Sequence, residues 1–583
     1  MRYSLLLVIL VLSLPGISYS QITPADQERA LRNLQQNQQN QQNFIKSLEE
    51  QQQRKMRERK TPEINVEKQP EKEIKGGKCF NISSIEFSGA TILKGGDKDK
   101  IAKDYLNTCV SINEINKLMR EVTNYYIDKG YVTTRVALPQ QDLKSGKLQI
   151  MVVEGTVEDI ILNENTWRDR AQVTMALPFI KGKLLNLRDI EQGLDQLNRL
   201  SSSNATMQLV PGDKAGGTKV VITNKVSKPN RASLGYDNSG QKATGVNKVL
   251  ASLERDNLFG IGEALSFNYN ENAGGESDTK HSQVYSGMLS VPFGYWTFSQ
   301  NFSHSEYLQT IRGTNQNFHA SGQTDSGTSK IERVVFRNQD SKLSLNTSLE
   351  LKDTKAFVED AQIAAGTYQL TVWSAGADYT LRALNSIWTL GAAYKRGIDA
   401  FSAKKDSYGI TEDTPHAQFD KYTFDASVYK PFAISNANLA WRSVLFGQYS
   451  NDTLFSSERM TIGDRYTVRG FSDDSLSGDS GVYNRNELIW NLPQFTENKY
   501  VNYAVGNLQP YVGFDMGTTR AVGGKQADGG TGVGYMSGWA VGLRNNSEYL
   551  TFDVAYAQAI KAPSFINHDS NELYFTVSTK IGF

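Results

Sequence analysis

Along the C-terminal half of the chain, apolar and polar side chains alternate. Leu343, Leu345, Thr347, Leu349 and Leu351 share one parity, and Ser344, Asn346, Ser348, Glu350 and Lys352 share the other. Successive side chains of a strand point to opposite faces, so this stretch predicts a strand with one apolar and one polar side. Trp296, Phe298 and Phe302 stand in the same way against Thr297, Ser299, Asn301 and Ser303. The chain ends on Leu573, Phe575, Val577, Thr579, Ile581 and Phe583, opposed by Tyr574, Thr576, Ser578, Lys580 and Gly582. Helical periodicity disappears after Pro229. At roughly 22 residues per strand plus turn, the remainder accommodates about sixteen strands. A soluble sandwich also alternates, but a stretch this long with few prolines and an aromatic last strand favours a closed barrel, apolar faces outward to lipid and polar faces inward.

Upstream the texture is compact α/β. Ile82, Ile85 and Phe87 read as a strand, and Ser111-Ile112-Asn113-Glu114 is a capping box opening a helix. The apolar stripe of that helix is Ile115, Leu118, Met119, Val122, Tyr125 and Tyr126, and Gly130 ends it. Residues 132–138 and 148–153 supply two more strands. The pattern then repeats: a strand over 157–162, a helix around 189–197, and strands near 207–209 and 219–223. Such an internal repeat suits binding better than catalysis. Residues 22–58 are rich in Gln and Asn, with apolar residues only at Leu31, Leu34, Phe44, Ile45 and Leu48. They form either a disordered segment or a helix polar nearly all round. Residues 59–77 mix Lys and Glu with Pro62, Pro70, Gly76 and Gly77, the composition of a flexible linker.

Composition changes the picture in two places. Mean hydropathy is -0.46 and net charge +1 over 583 residues, which excludes a bundle of membrane helices and a polybasic nucleic-acid binder, while 27 Tyr, 25 Phe and 48 Gly suit a large β structure. The one long apolar run, Leu5 to Leu12 after Arg2 and closing on Ser18-Tyr19-Ser20, is a secretory signal with a cut after Ser20. In an exported chain the two cysteines, Cys79 and Cys109, are most simply one disulfide. The histidines (His281, His304, His319, His416, His568) are scattered and far from both cysteines, so no metal site is expected. The sequence contains no Gly-x-Ser-x-Gly, Walker or paired-His motif, and neither enzyme activity nor a cofactor is expected.

Several segments, taken in order, resemble the transporters of two-partner secretion, the family of hemolysin secretion/activation and contact-dependent inhibition transporters. Residues 126–134, 138–143 and 152–155 resemble its first POTRA (polypeptide-transport-associated) domain, and residues 186–192 and 197–200 its second. Asp237-Asn238-Ser239-Gly240 and Asp256-Asn257-Leu258-Phe259-Gly260 resemble the start of its barrel. Most specific are Ile462-Gly463-Asp464-Arg465-Tyr466-Thr467-Val468-Arg469-Gly470-Phe471, Tyr483-Asn484-Arg485-Asn486-Glu487-Leu488 and Gly513-Phe514-Asp515-Met516-Gly517. Asp464 departs from the pattern, where a second Gly is expected.

The resemblance implies a mainly β protein: a 16-stranded antiparallel transmembrane β-barrel preceded by two small α/β POTRA domains and an N-terminal plug helix. The expected order is signal peptide 1–20, plug helix 21–58, linker 59–77, POTRA domains 78–154 and 155–228, and barrel 229–583 with an inward-folded loop around 462–480. A guanidinium carried into a lumen needs a fixed acceptor, best a bidentate carboxylate. By resemblance Val468, Arg469, Gly470 and Phe471 form the loop tip, Asp515 on the wall is the partner of Arg469, and Phe583 is the terminal aromatic recognised by the barrel-assembly machinery. The expected protein is a monomeric pore in the outer membrane, surrounded by its lipid. It recognises a large partner exoprotein (hemolysin, adhesin or contact-dependent inhibition toxin) through periplasmic POTRA domains and secretes it unfolded without ATP. Rival readings are a barrel-assembly factor of the same superfamily and a passive porin or adhesin.

Overall fold

The computed structural model describes residues 78–583 apart from 276, 314–315, 472–473, 494–497, 499–500, 503–504, 523–532, 548 and 567–570. The signal peptide, plug helix and linker expected over 1–77 lie outside the described residues.

In the first domain, strand Lys147–Val153 is central, with Ser84–Ser88 parallel on one side and Arg135–Ala137 antiparallel on the other. Helix Ile112–Asp128 starts at the capping box, where Glu114 accepts the Ser111 N–H at 2.5 Å. Its buried face, Ile115, Leu118, Val122 and Tyr126, packs on Leu148, Ile150 and Val152. The single strand expected at 82–87 is two strands. Cys79–Ile82 pairs with Thr108–Ser111, and the chain breaks at Ser83, whose N–H turns to the Gly146 carbonyl at 2.8 Å. Cys79 and Cys109 are joined as a disulfide. Glu154, at the end of this domain, accepts the N–H groups of Thr91 (2.7 Å) and Ile92 (2.9 Å) and the Tyr126 hydroxyl (2.6 Å). Burial alone would push its carboxyl up, but these hydrogen bonds outweigh burial and hold it below the ordinary value.

The second domain repeats the plan, with Gly217–Asn224 between Thr156–Leu162 and Ala205–Pro211. Helices Trp167–Ala176 and Leu187–Asn198 cover one face.

Sixteen strands, from Asn230–Asp237 to Asn571–Gly582, form one antiparallel closed barrel. The last strand pairs with the first from Thr576↔Asp237 to Gly582↔Arg231. The parity read from the sequence holds: Phe298, Phe302, Leu345, Leu573 and Val577 lie exposed on the outer face, where lipid covers them. Because the small domains precede Asn230, that end of the first strand is the domain-bearing end, and tight turns such as 293–296, 383–386 and 434–437 belong to the same end.

The second domain is docked on this end. Gln196 donates to the Gly294 carbonyl at 2.8 Å, Arg199 to the Gly262 carbonyl at 2.7 Å and the Ser290 hydroxyl at 2.9 Å, and Tyr295 to Asp189 at 2.7 Å. Arg337, the last residue of the sixth strand, is paired with Asp195. At the hinge into the barrel, Asp256 accepts two bonds from Arg231 (2.8 and 3.0 Å) and the Ser202 N–H (2.8 Å).

Candidate functional site: a loop clamped inside the barrel

The connection between strands Ala437–Ser450 and Ser480–Asn491 leaves from the outer end of the barrel and turns back into it. Its stem is a short antiparallel ladder, Met460–Ile462 against Leu476–Gly478. Gly463 then takes a positive φ of 102°, which Gly adopts at no steric cost. The next residue, Asp464, stabilises the turn with its side chain. One carboxylate oxygen accepts the N–H groups of Tyr466 and Thr467, both at 2.7 Å, and the Thr467 hydroxyl at 2.9 Å. Asp464 itself has no positive φ, so the turn does not call for a second Gly there.

At the tip, Val468, Arg469 and Phe471 are all at least 97% buried. The Arg469 Nε and Nη2 reach the two oxygens of Asp515 at 2.6 and 2.8 Å, a bidentate pair, and its backbone N–H adds a third bond at 3.2 Å. Asp515 stands on strand Asn507–Arg520. Arg469 Nη1 also reaches Glu487, on strand Ser480–Asn491, at 2.9 Å. Glu487 is held from its other oxygen by Arg544, on strand Val533–Asn546, at 2.5 Å. Val468 and Phe471 pack with Ile462, Leu476 and Met536. Tyr574, from the last strand, accepts the Gly470 N–H at 3.2 Å and donates to the Phe471 carbonyl at 3.1 Å.

Glycines make this approach possible. Gly470 has φ 101°, and a Cβ there would lie 2.5 Å from the Ala559 nitrogen. On the wall, a Cβ at Gly538 would lie 1.9 Å from the Arg469 carbonyl oxygen, and one at Gly513 would lie 2.2 Å from its guanidinium. The loop tip and two wall strands therefore fit only without these side chains.

A second anchorage secures the root of the loop. Glu458, 4% exposed, receives Lys352 at 2.7 Å and Lys421 at 2.5 Å, both from wall strands. Gln448 donates to the carbonyls of Glu458 and Asp479 at 2.9 and 3.0 Å. Asp479 accepts the Leu454 and Val522 N–H groups, each at 2.8 Å, and Arg459 at 3.0 Å.

Sequence reasoning named Val468 to Phe471 and Asp515, and the structure brings them together. It did not single out Glu487, although Glu487 lies in a quoted motif, nor Arg544, Tyr574 and the Glu458 cluster. Isolated charged residues on separate strands carry no sequence signal until the register is known. Phe583 exchanges backbone hydrogen bonds with Asn230 at 2.9 and 3.1 Å, tying the two ends of the barrel, while its ring stays exposed. Among the described residues no cluster of His, Cys, Asp and Glu suits a metal ion.

The model of the haemolysin secretion/activation proteins ShlB/FhaC/HecB matches residues 216–545. The chain belongs to this family. POTRA-domain models match residues 80–155 (ShlB-type) and 156–211. The outer membrane transporter CdiB of Dickeya dadantii is 32% identical over 85% of each chain, and the hemolysin transporter protein ShlB of Serratia marcescens is 29% identical over 75% of each. The solved structure of CdiB from Escherichia coli superposes with a TM-score of 0.83 at 30% identity, covering 97% of this chain and all of that one. CdiB from Acinetobacter baumannii, at 21% identity and a TM-score of 0.75, shares the fold. The Dickeya dadantii and Serratia marcescens relatives are transporters. The chain is thus an outer-membrane β-barrel with its POTRA domains in the periplasm.

Proposed function

We propose that this protein secretes one large partner exoprotein, recognised in the periplasm through the POTRA domains and passed unfolded through the lumen to the cell surface without ATP. The observation that carries the reading is the inward loop, clamped by Arg469 between Asp515 and Glu487 in a barrel with two periplasmic domains beneath it. A passive porin needs neither the clamp nor the docked domains. An unfolded chain can add to an exposed sheet edge of a POTRA domain through main-chain hydrogen bonds, which demands little of its sequence. Folding of the exoprotein outside supplies direction.

In the same reading residues 1–20 are removed on export, residues 21–58 plug the lumen and leave when cargo arrives, and residues 59–77 are their tether. Phe583 presents the barrel to the assembly machinery, and the pore works as a monomer. The test is secretion of the partner exoprotein with and without residues 79–225. Loss of secretion with the barrel still in the membrane is expected, and undiminished secretion refutes POTRA-dependent recognition. Deleting residues 21–58 is expected to raise ion conductance in planar bilayers.

A further inference from the structure

The lumen has two unlike sides. The loop and its contacts take up one of them. Its tip meets the strands that carry Glu487, Asp515, Gly538, Gln558 and Tyr574, and its root meets those carrying Lys352, Lys421 and Gln448. The second to sixth strands (Lys248–Asp256, Ala264–Asn272, Lys280–Phe293, Trp296–Arg312 and Asn317–Arg337) receive none of these contacts.

The inward faces of those strands have a distinct chemistry. The outward parity is fixed by exposed Leu253, Phe267, Leu289, Phe302 and Ile331. The opposite parity places Ser252, Asn268, Ser286, Ser303 and Ser326 in one row, each paired with the next across the ladder. Cross-strand bonds confirm the shared face: Asn268 to Ser286 at 3.3 Å, Ser299 to Ser290 at 3.2 Å, and Ser303 with Ser326 at 2.7 Å. Asn301 and Thr328 add further neutral groups. Charged inward residues of the second to fifth strands, Lys248, Glu254, Asp256 and Lys280, stand near the strand ends, while on the sixth Lys330 and Glu332 lie further in, seven and five residues before Arg337. Across the middle of the second to fifth strands only hydroxyls, amides and a few apolar groups face the lumen. Asn301 Oδ1 and Gln309 Nε2, both on this wall, are buried with no hydrogen-bond partner among the described residues.

The second POTRA domain is docked beneath the same strands. Arg199 holds Gly262 and Ser290, Gln196 holds Gly294, and Arg168 holds the Leu258 carbonyl at 2.5 Å. The wall is therefore continuous with the domain assigned to deliver cargo.

We propose that the exported polypeptide, in extended form, travels along this hydroxyl- and amide-lined wall, opposite the loop tip. The occupant is an unfolded chain, whose peptide groups need donors and acceptors whatever its sequence. Serine and asparagine side chains supply both, and neutral ones do so without the strong charge-assisted bonds that would hold a passing Lys or Glu. A charged wall would stop cargo at each opposite charge. This one exchanges weak hydrogen bonds as the chain advances.

The proposal rests on the secretion reading above, and the experiment separates the two. A photo-crosslinking residue is placed in the full-length protein at Asn268 or Ser303 on the wall. The comparison position is Thr389, inward on strand Ser386–Gly397 and bonded to Ser427 at 2.6 Å. The probe is the partner exoprotein carrying a C-terminal disulfide-locked domain that stalls it in transit. Adducts to cargo at 268 and 303 at least about fivefold above those at 389 are expected. Equal or stronger adducts at 389, no cargo adducts at 268 and 303 while secretion proceeds, or adducts there only to the protein's own N-terminal segment each overturn the path. Absence of secretion by the unsubstituted protein overturns the secretion reading itself. As a second variant, S286R combined with S303R is expected to slow secretion about tenfold, and S286T combined with S303T to leave it within about twofold. Parental secretion by the Arg pair also overturns the path.

Discussion

Replacing Arg469 by Ala removes three side-chain hydrogen bonds to carboxylates, two to Asp515 and one to Glu487. The two carboxylates are left in different positions. Glu487 keeps Arg544 at 2.5 Å and has Arg485 at 3.7 Å, so it stays paired. Asp515, fully buried, keeps only the residue 469 backbone N–H at 3.2 Å among these bonds. Removing one partner of a buried ion pair costs about 3–5 kcal/mol, most of it the uncompensated charge left behind. Converted at 1.4 kcal/mol per factor of ten, the seated loop loses roughly 10²- to 10⁴-fold in population relative to unseated forms. Hydrogen exchange at the Gly470 amide, which donates to Tyr574, reads this directly in purified protein. Its protection is expected to fall by about that factor in R469A. The double variant R469A with D515N removes the stranded charge and is expected to regain about tenfold. Protection within about threefold of the parent in R469A, or no recovery in the double variant, refutes the reasoning. Secretion is expected to fall in parallel, with the barrel still in the membrane.

Other substitutions test separate joints. G538A places a methyl 1.9 Å from the Arg469 carbonyl oxygen, so it is expected to displace the tip and abolish secretion, while G327A, with nothing within 4 Å of its Cβ, leaves it unchanged. Reduction of Cys79–Cys109, separated by 30 residues, is expected to destabilise the first POTRA domain by about 3–4 kcal/mol, seen as faster proteolysis of that domain alone. Glu154 has a folded-state pKa below its ordinary 4.5, so its stabilisation is complete above that value and lost as pH falls through the depressed one. Protease resistance of the first domain is therefore expected to drop below about pH 4.5 in the parent, and E154Q to be less stable at neutral pH but flatter through the acid range.

How much of this was legible in the sequence depended on whether the pattern was local. The helix Ile112–Asp128 announces itself through the Ser111/Glu114 capping box and a clean apolar stripe, and its limits follow within a residue or two. Strand parity was equally readable, because a lipid-facing strand must carry apolar side chains on alternate positions. The helix Gly95–Ala102 was not legible, since Gly-Gly-Asp-Lys-Asp-Lys offers no apolar stripe and it forms by packing Ala102 into the core. The loop tip was readable as a motif, but Glu487 and Arg544 are 57 positions apart. They meet because strands Ser480–Asn491, Asn507–Arg520 and Val533–Asn546 are neighbours in register. The neutral wall was hidden for the same reason: Asn268, Ser286, Ser303 and Ser326 are ordinary polar residues until the ladder lines them up.

The two anchorages of the loop have opposite polarity, and that decides where the loop can sit. Its tip brings a cation to wall carboxylates, Arg469 to Asp515 and Glu487, and its root brings an anion to wall lysines, Glu458 to Lys352 and Lys421. A loop slid toward the wrong anchorage sets like charges together, each close pair costing about 4 kcal/mol at an effective dielectric of 20. Wrong seatings are thus opposed twice, by lost attraction and by repulsion. Both anchorages also bind the loop backbone, the root through Gln448 and Asp479 and the tip through Asp515 and Tyr574. E458K is expected to open the root and raise single-channel conductance more than E458Q does, and E458K combined with K421E is expected to restore part of the closure. Equal conductance for E458K and E458Q would show that charge polarity plays no part in seating the loop.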